Sequence, residues 1–219
     1  MSILDEIIQI PFPHDQYKRK VTKKKQITIH HSVSGNNDDS IYAVANYWKS
    51  DTPRVATPIL IAKSGLIGQL YSTKYYGGHI GFDKGKKVYE HFNVPKKYLS
   101  RLAIGVELLS WGGLKKMGND FYAAYGNKVN CEIAHIPEGY RGFEYFEKYS
   151  DEQIESLRKL ILYWNKVYDI PLDYNDDIWD VNIRAITGVA GIYPHTAYRF
   201  GKSDAFPQIE LIEMLKSLK

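Results

Sequence analysis

The stretch QITIHHS, residues 26–32, decides how this chain is read. Apolar and polar residues alternate along it, which is the period of a β-strand with two unlike faces. Ile27, Ile29 and His31 share one face, and Thr28 and His30 share the other. An apolar strand that closes on two histidines carries imidazoles to the end of a buried element. The turn-rich GNNDD (35–39) comes next, and Asp39 or Ser40 can cap a helix from about Ile41 to Lys49. Ile41, Val44, Ala45 and Trp48 form the apolar stripe of that helix.

Further along, PILIAK (58–63) and LIGQLY (66–71) flank Ser64-Gly65 and read as a β-hairpin. LAIGVELLS (102–110) is an apolar strand with one conspicuous acid, Glu107. Trp111 to about Tyr149 is rich in Gly and Tyr, with strand-like VNCEIAHI (129–136), and reads as an insertion holding a small hairpin. Ser150 and Gln153 fit a capping box. Ile154, Leu157, Leu160, Ile161, Trp164, Val167 and Tyr168 follow at helical spacing until Pro171 ends the run. Residues 175–188 suggest a short helix or turn leading to a strand, 191–208 a Gly/Pro-punctuated loop, and 207–219 an amphipathic helix opened by Pro207. Residues 1–25 read as a lead-in whose Lys18, Arg19, Lys20, Lys23, Lys24 and Lys25 form a solvated arm. The expected architecture is α/β: one domain over 26–219, with a central mixed β-sheet flanked by α-helices.

Composition narrows the function classes. The 219 residues are 44% hydrophobic, enough for one sizeable core. No run reaches the ~18 apolar residues of a membrane span, so no membrane insertion is expected. Asp5, Glu6, Pro11 and Pro13 interrupt the N-terminal stretch, which therefore does not read as a signal peptide. Synthesis in the cytoplasm is the expectation. The single cysteine, Cys131, excludes an intramolecular disulfide and a thiolate metal cluster. A net charge of +4 draws the chain to polyanions, an anionic cell wall among them, without choosing between them. Eighteen tyrosines offer rings with polar tips, which suit sugar and peptide contacts.

Three polar groups stand out: His30 and His31 at the end of a strand, Glu107 inside another, and His195 with Lys202 and Asp204 in one loop. Two His and one Asp suit a catalytic metal that keeps an open position for water. A nearby carboxylate can accept a proton from that water, and a nearby cation can stabilise an oxyanion.

These segments resemble the zinc N-acetylmuramoyl-L-alanine amidase family, whose fold is shared with phage lysozyme-type amidases and peptidoglycan recognition proteins. QITIHHSVSG resembles the family's first strand, which ends in a ligand His. LAIGVELL resembles the strand that carries a Glu, and PHTAYRFGKSD resembles the closing loop with His and then Lys-X-Asp. The resemblance covers about residues 25–208, in the family's order. It implies one Zn2+ per chain on His30, His195 and Asp204, with Glu107 as proton acceptor and Lys202 beside the oxyanion. His31 is then a packed or hydrogen-bonded core residue.

Two segments depart from the family pattern. Val55-Ala56-Thr57-Pro58 stands where a Ser-X-His-Tyr/Phe element is common, and Gly78-His79-Ile80-Gly81 replaces a Trp-His-Ala-Gly-like loop. Thr57, Tyr76, His79 and Trp111 are the candidate substrate contacts. The implied substrate is peptidoglycan, cut between N-acetylmuramic acid and the L-alanine of its stem peptide, by a monomer that needs no nucleic acid. The implied setting is a phage endolysin released through a holin-type membrane lesion. A cytosolic muropeptide-recycling amidase and a non-catalytic peptidoglycan-binding protein are the rivals.

Overall fold

A computed structural model describes residues 3–50, 52, 55–81 and 86–218. Its centre is a six-stranded mixed sheet in the order β1-β4-β3-β5-β2-β11. The strands are β1 (Ile7–Gln9), β2 (Gln26–His31), β3 (Ile59–Ile61), β4 (Ile67–Gln69), β5 (Ala103–Leu108) and β11 (Gly191–Pro194). β3, β5, β2 and β11 run parallel, and β4 is antiparallel to β3 through the expected hairpin. The hairpin turns at Gly65, where φ is +85° and an added Cβ would lie 2.9 Å from the Glu152 carbonyl oxygen. Only glycine meets both demands.

All six residues of β2 are buried, so each face of the sheet is covered. Ile27, Ile29, Ile59 and Ile61 pack with Ile154, Leu157, Leu160, Ile161 and Trp164 of helix α3 (Asp151–Tyr168). On the other face, Leu60 packs with Ile41, Val44, Ala45 and Trp48 of helix α1 (Asp38–Lys49). The period-2 alternation of the strands thus divides the core into two layers. The capping box is formed: Gln153 N donates to Ser150 Oγ at 3.1 Å, and Ser150 N donates to Gln153 Oε1 at 3.2 Å. The remaining helices are α2 (Lys86–His91), α4 (Ile183–Thr187) and α5 (Ile209–Lys216), the last against α3.

Four expectations change. The cap of α1 is Asn37, whose Oδ1 accepts from Ser40 N at 3.0 Å. Asp38 and Asp39 instead occupy the first turn, where their charge suits the helix dipole. The lead-in contributes strand β1, paired in parallel with β4. Lys24 leaves the solvated arm. It is 2% exposed, and its Nζ donates to the carbonyls of Tyr75 at 2.7 Å and of Arg101 and Ala103 at 3.3 Å. The strand expected after residue 188 falls at the start of the loop from 191, as the four-residue β11 at the sheet edge.

The insertion is more than a hairpin. It is a second, five-stranded antiparallel sheet ordered β8-β7-β6-β10-β9. Its strands are β6 (Gly113–Met117), β7 (Asp120–Tyr122), β8 (Lys128–Val129), β9 (Ile133–Tyr140) and β10 (Phe143–Glu147). Phe146 of β10 stacks on Phe206 at 4.3 Å between ring centroids and so ties this sheet to the main core.

Candidate active site

The carboxyl ends of parallel strands are the usual place for a site in an α/β sheet. Here β2, β5 and β11 all end at one edge. Their register pairs His30 with Glu107 and Ile29 with Pro194, so His195 follows immediately beside His30. Asp204 is brought back by its own carbonyl, which accepts from Thr196 N at 2.8 Å, and by burial of the following Ala205 and Phe206.

His30, His195 and Asp204 are all buried, and one potential ligand atom of each lies within 4.8 Å of the others. Asp204 Oδ2 is 3.1 Å from His30 Nδ1 and 2.9 Å from His195 Nδ1. Tetrahedral ligands at ordinary zinc distances are about 3.3 Å apart, so this donor set fits a zinc-sized ion. The other ring nitrogens are also engaged. His30 Nε2 is 3.0 Å from His79 Nδ1, and His195 Nε2 is 3.2 Å from the Ile80 carbonyl.

Electrostatics follow from burial and proximity. Burial opposes charge on Asp204, yet the facing His195 and His30, with Lys202, hold its carboxyl well below the usual range. Burial pushes His195 down to about 3, against the pull of Asp204. Burial raises Glu107 to about 7, opposed by His30 and Lys202 and reinforced by Asp204. Glu107 Oε2 is buried with no hydrogen-bond partner among the described residues. Such a group stays available to take or give a proton. Lys202 is part-exposed, with Nζ 3.6 Å from Asp204 Oδ1. His31 turns to Tyr149, its Nδ1 2.8 Å from the hydroxyl oxygen, and burial lowers it to about 4.

A cleft of about 670 Å3 opens over these groups. Family-model comparison matches residues 19–205 to N-acetylmuramoyl-L-alanine amidase. The chain belongs to that family. The amidase cleaves the bond between N-acetylmuramic acid and L-alanine in peptidoglycan.

Among solved structures, the amidase is similar to PlyL, at 13% identity and a TM-score of 0.53 over 97% of this chain and 98% of that one. It is similar to the catalytic domain of XlyA, at 15% identity and 0.54 over 97% of each. A mutant endolysin from Bacillus subtilis gives 16% and 0.53 over 96% of each. At such identities the likeness concerns the fold, a mixed α/β domain. No curated protein matches the chain.

The candidate substrate contacts divide. His79 lines the cleft of the amidase, but Thr57, Tyr76 and Trp111 are not in its lining. Thr57 is fully buried and donates its hydroxyl to the Ile59 carbonyl at 3.1 Å. Tyr76 packs edge-on against Tyr98, with ring centroids 5.9 Å apart. The Trp111 amide donates to Glu147 Oε2 at 2.6 Å. The cleft is instead walled by Trp48, Tyr98, Tyr125 and Arg199. Arg199 sits between His195 and Lys202 in the closing loop, so its place was readable. Tyr125 arrives from the second sheet, and nothing local in the sequence signals it.

Proposed function

We propose that this amidase works with one zinc ion held by His30 Nδ1, His195 Nδ1 and Asp204, and that it acts as an endolysin on intact cell wall. The observation that carries the reading is the convergence of both Nδ1 atoms on Asp204, with Glu107 opposite His30 on the next strand.

Zinc, when bound, polarises the scissile carbonyl and makes water more acidic. The chain's own groups do the rest. Glu107 takes a proton from the water whose oxygen attacks the carbonyl carbon, then gives it to the alanine nitrogen as the C–N bond breaks. The Lys202 ammonium stabilises the negative oxygen formed in between. All these residues come from one chain, which suits a monomer. The net charge of +4 suits an anionic wall.

Purified protein should carry about one zinc per chain and clear a turbid wall suspension, and a chelator should stop the clearing. Mass spectrometry of the digest should find new L-alanine amino termini. Clearing that survives complete metal removal would overturn the metal reading. Fast cleavage of soluble muropeptides with none of intact wall would replace the endolysin reading by recycling.

A further inference from the structure

We propose that His79 is a positioning residue for His30: it accepts the Nε2–H of His30 and thereby fixes the tautomer that presents Nδ1 to the metal. This rests on the zinc reading above and deepens it.

A neutral imidazole carries one proton. If His30 offers the Nδ1 lone pair to an ion, the proton must reside on Nε2. That atom lies 3.0 Å from His79 Nδ1, and both side chains are buried, His30 at 3% and His79 at 6% exposure. His79 Nδ1 must then be the acceptor, which puts the His79 proton on Nε2. The second histidine has the same arrangement one residue later, with His195 Nε2 donating to the Ile80 carbonyl at 3.2 Å. The short segment His79-Ile80 thus orients both rings.

A further feature argues that His79 is there for this contact. Space is reserved for the ring. A Cβ on Gly105 of β5 would stand 2.9 Å from His79 Nδ1, 3.0 Å from its Cγ and 2.7 Å from Thr57 Cγ2. The glycine in LAIGVELL leaves room for His79 against β5, and buried Thr57 packs beside the same glycine. His79 therefore belongs to the support of the metal site.

The test is zinc affinity of the apoprotein, measured by competition with a chromophoric chelator, for His79→Leu, His79→Gln and Gly105→Ala. Loss of a group that orients a metal-bound histidine lowers affinity about 10- to 100-fold. His79→Leu should show that loss while its apoprotein still melts cooperatively. His79→Gln keeps a carbonyl acceptor and should recover most of the affinity. Gly105→Ala should weaken binding with the His79 ring still present. Nitrogen-15 spectra of the unmodified zinc-loaded protein should find the proton on Nε2 of both His30 and His79, whatever the variants do. Parent-like affinity in His79→Leu, or a proton on Nδ1 of His79, would overturn the proposal. A parent protein that binds no zinc would overturn the metal reading itself.

Discussion

Glu107 of β5 lies directly opposite His30 of β2 in the register of two parallel strands. The pairing puts a carboxyl group and an imidazole on the same side of the sheet, which suits the proposed roles of proton acceptor and metal ligand. Neither position depends on a flexible loop, and the backbone ladder fixes their separation. Rigid placement of this kind favours reaction over mere binding.

The pairing separates metal binding from proton transfer. Glu107→Gln keeps the size and removes the base. Zinc content should stay near one per chain, while kcat falls about 10²- to 10⁴-fold. Metal analysis beside turnover of a soluble muropeptide checks both. Loss of zinc together with activity would show that Glu107 holds the metal rather than the proton.

Lys202 reaches the site from the closing loop, 3.6 Å from Asp204 Oδ1. Removing a donor that meets a developing oxyanion costs about 10²- to 10³-fold in kcat. Lys202→Met should show that loss with KM changed little. An equal loss in KM and none in kcat would assign Lys202 to substrate binding instead.

Tyr125 is 78% exposed on the turn between β7 and β8, at the rim of the cleft. An exposed ring beside the reacting groups suits stacking on a sugar of the glycan strand. Tyr125→Ala should raise KM on intact wall roughly fivefold, about 1 kcal/mol, with kcat unchanged. A soluble fragment lacking the extended glycan should feel less. Equal effects on both substrates would place the ring against the peptide.

Lys24 makes stability depend on pH. Burial lowers its folded pKa from 10.5 to about 7. Between those values the unfolded chain holds a proton there that the folded chain lacks. Stability therefore rises with pH across that window, and the contribution levels off below about 7, where both states are protonated. Lys24→Met lacks this dependence. The parent should gain stability relative to the variant from pH 7 to pH 10 in urea titrations. A constant difference would mean that the amine stays charged on its three carbonyls.

Alternation along β2 and the apolar run around Glu107 were readable because strand period and helical stripes are local properties. So was the capping box at Ser150. Arg199 lies nearer to His195 in the chain than Lys202 does, so its place can be read, but a lone Arg in a polar loop carries no pattern that assigns it a role. The five-stranded insertion hid behind strands as short as two residues, joined by turns at Gly118, Gly126 and Gly142.

By itself the sequence determined the α/β class, the two layers of core and the order of the chemical groups: His30, Glu107, His195, Lys202, Asp204. Those follow from periodicity and residue type. Only the tertiary structure decided that Thr57 is buried packing, that Lys24 is sunk beneath three carbonyls, and that Tyr125 crosses from a separate sheet to the cleft. It also set His79, a candidate substrate contact in the sequence, beside His30. Forty-nine residues separate those two imidazoles in the chain. Their contact depends on strand register and on the room left by Gly105, and no local pattern encodes either.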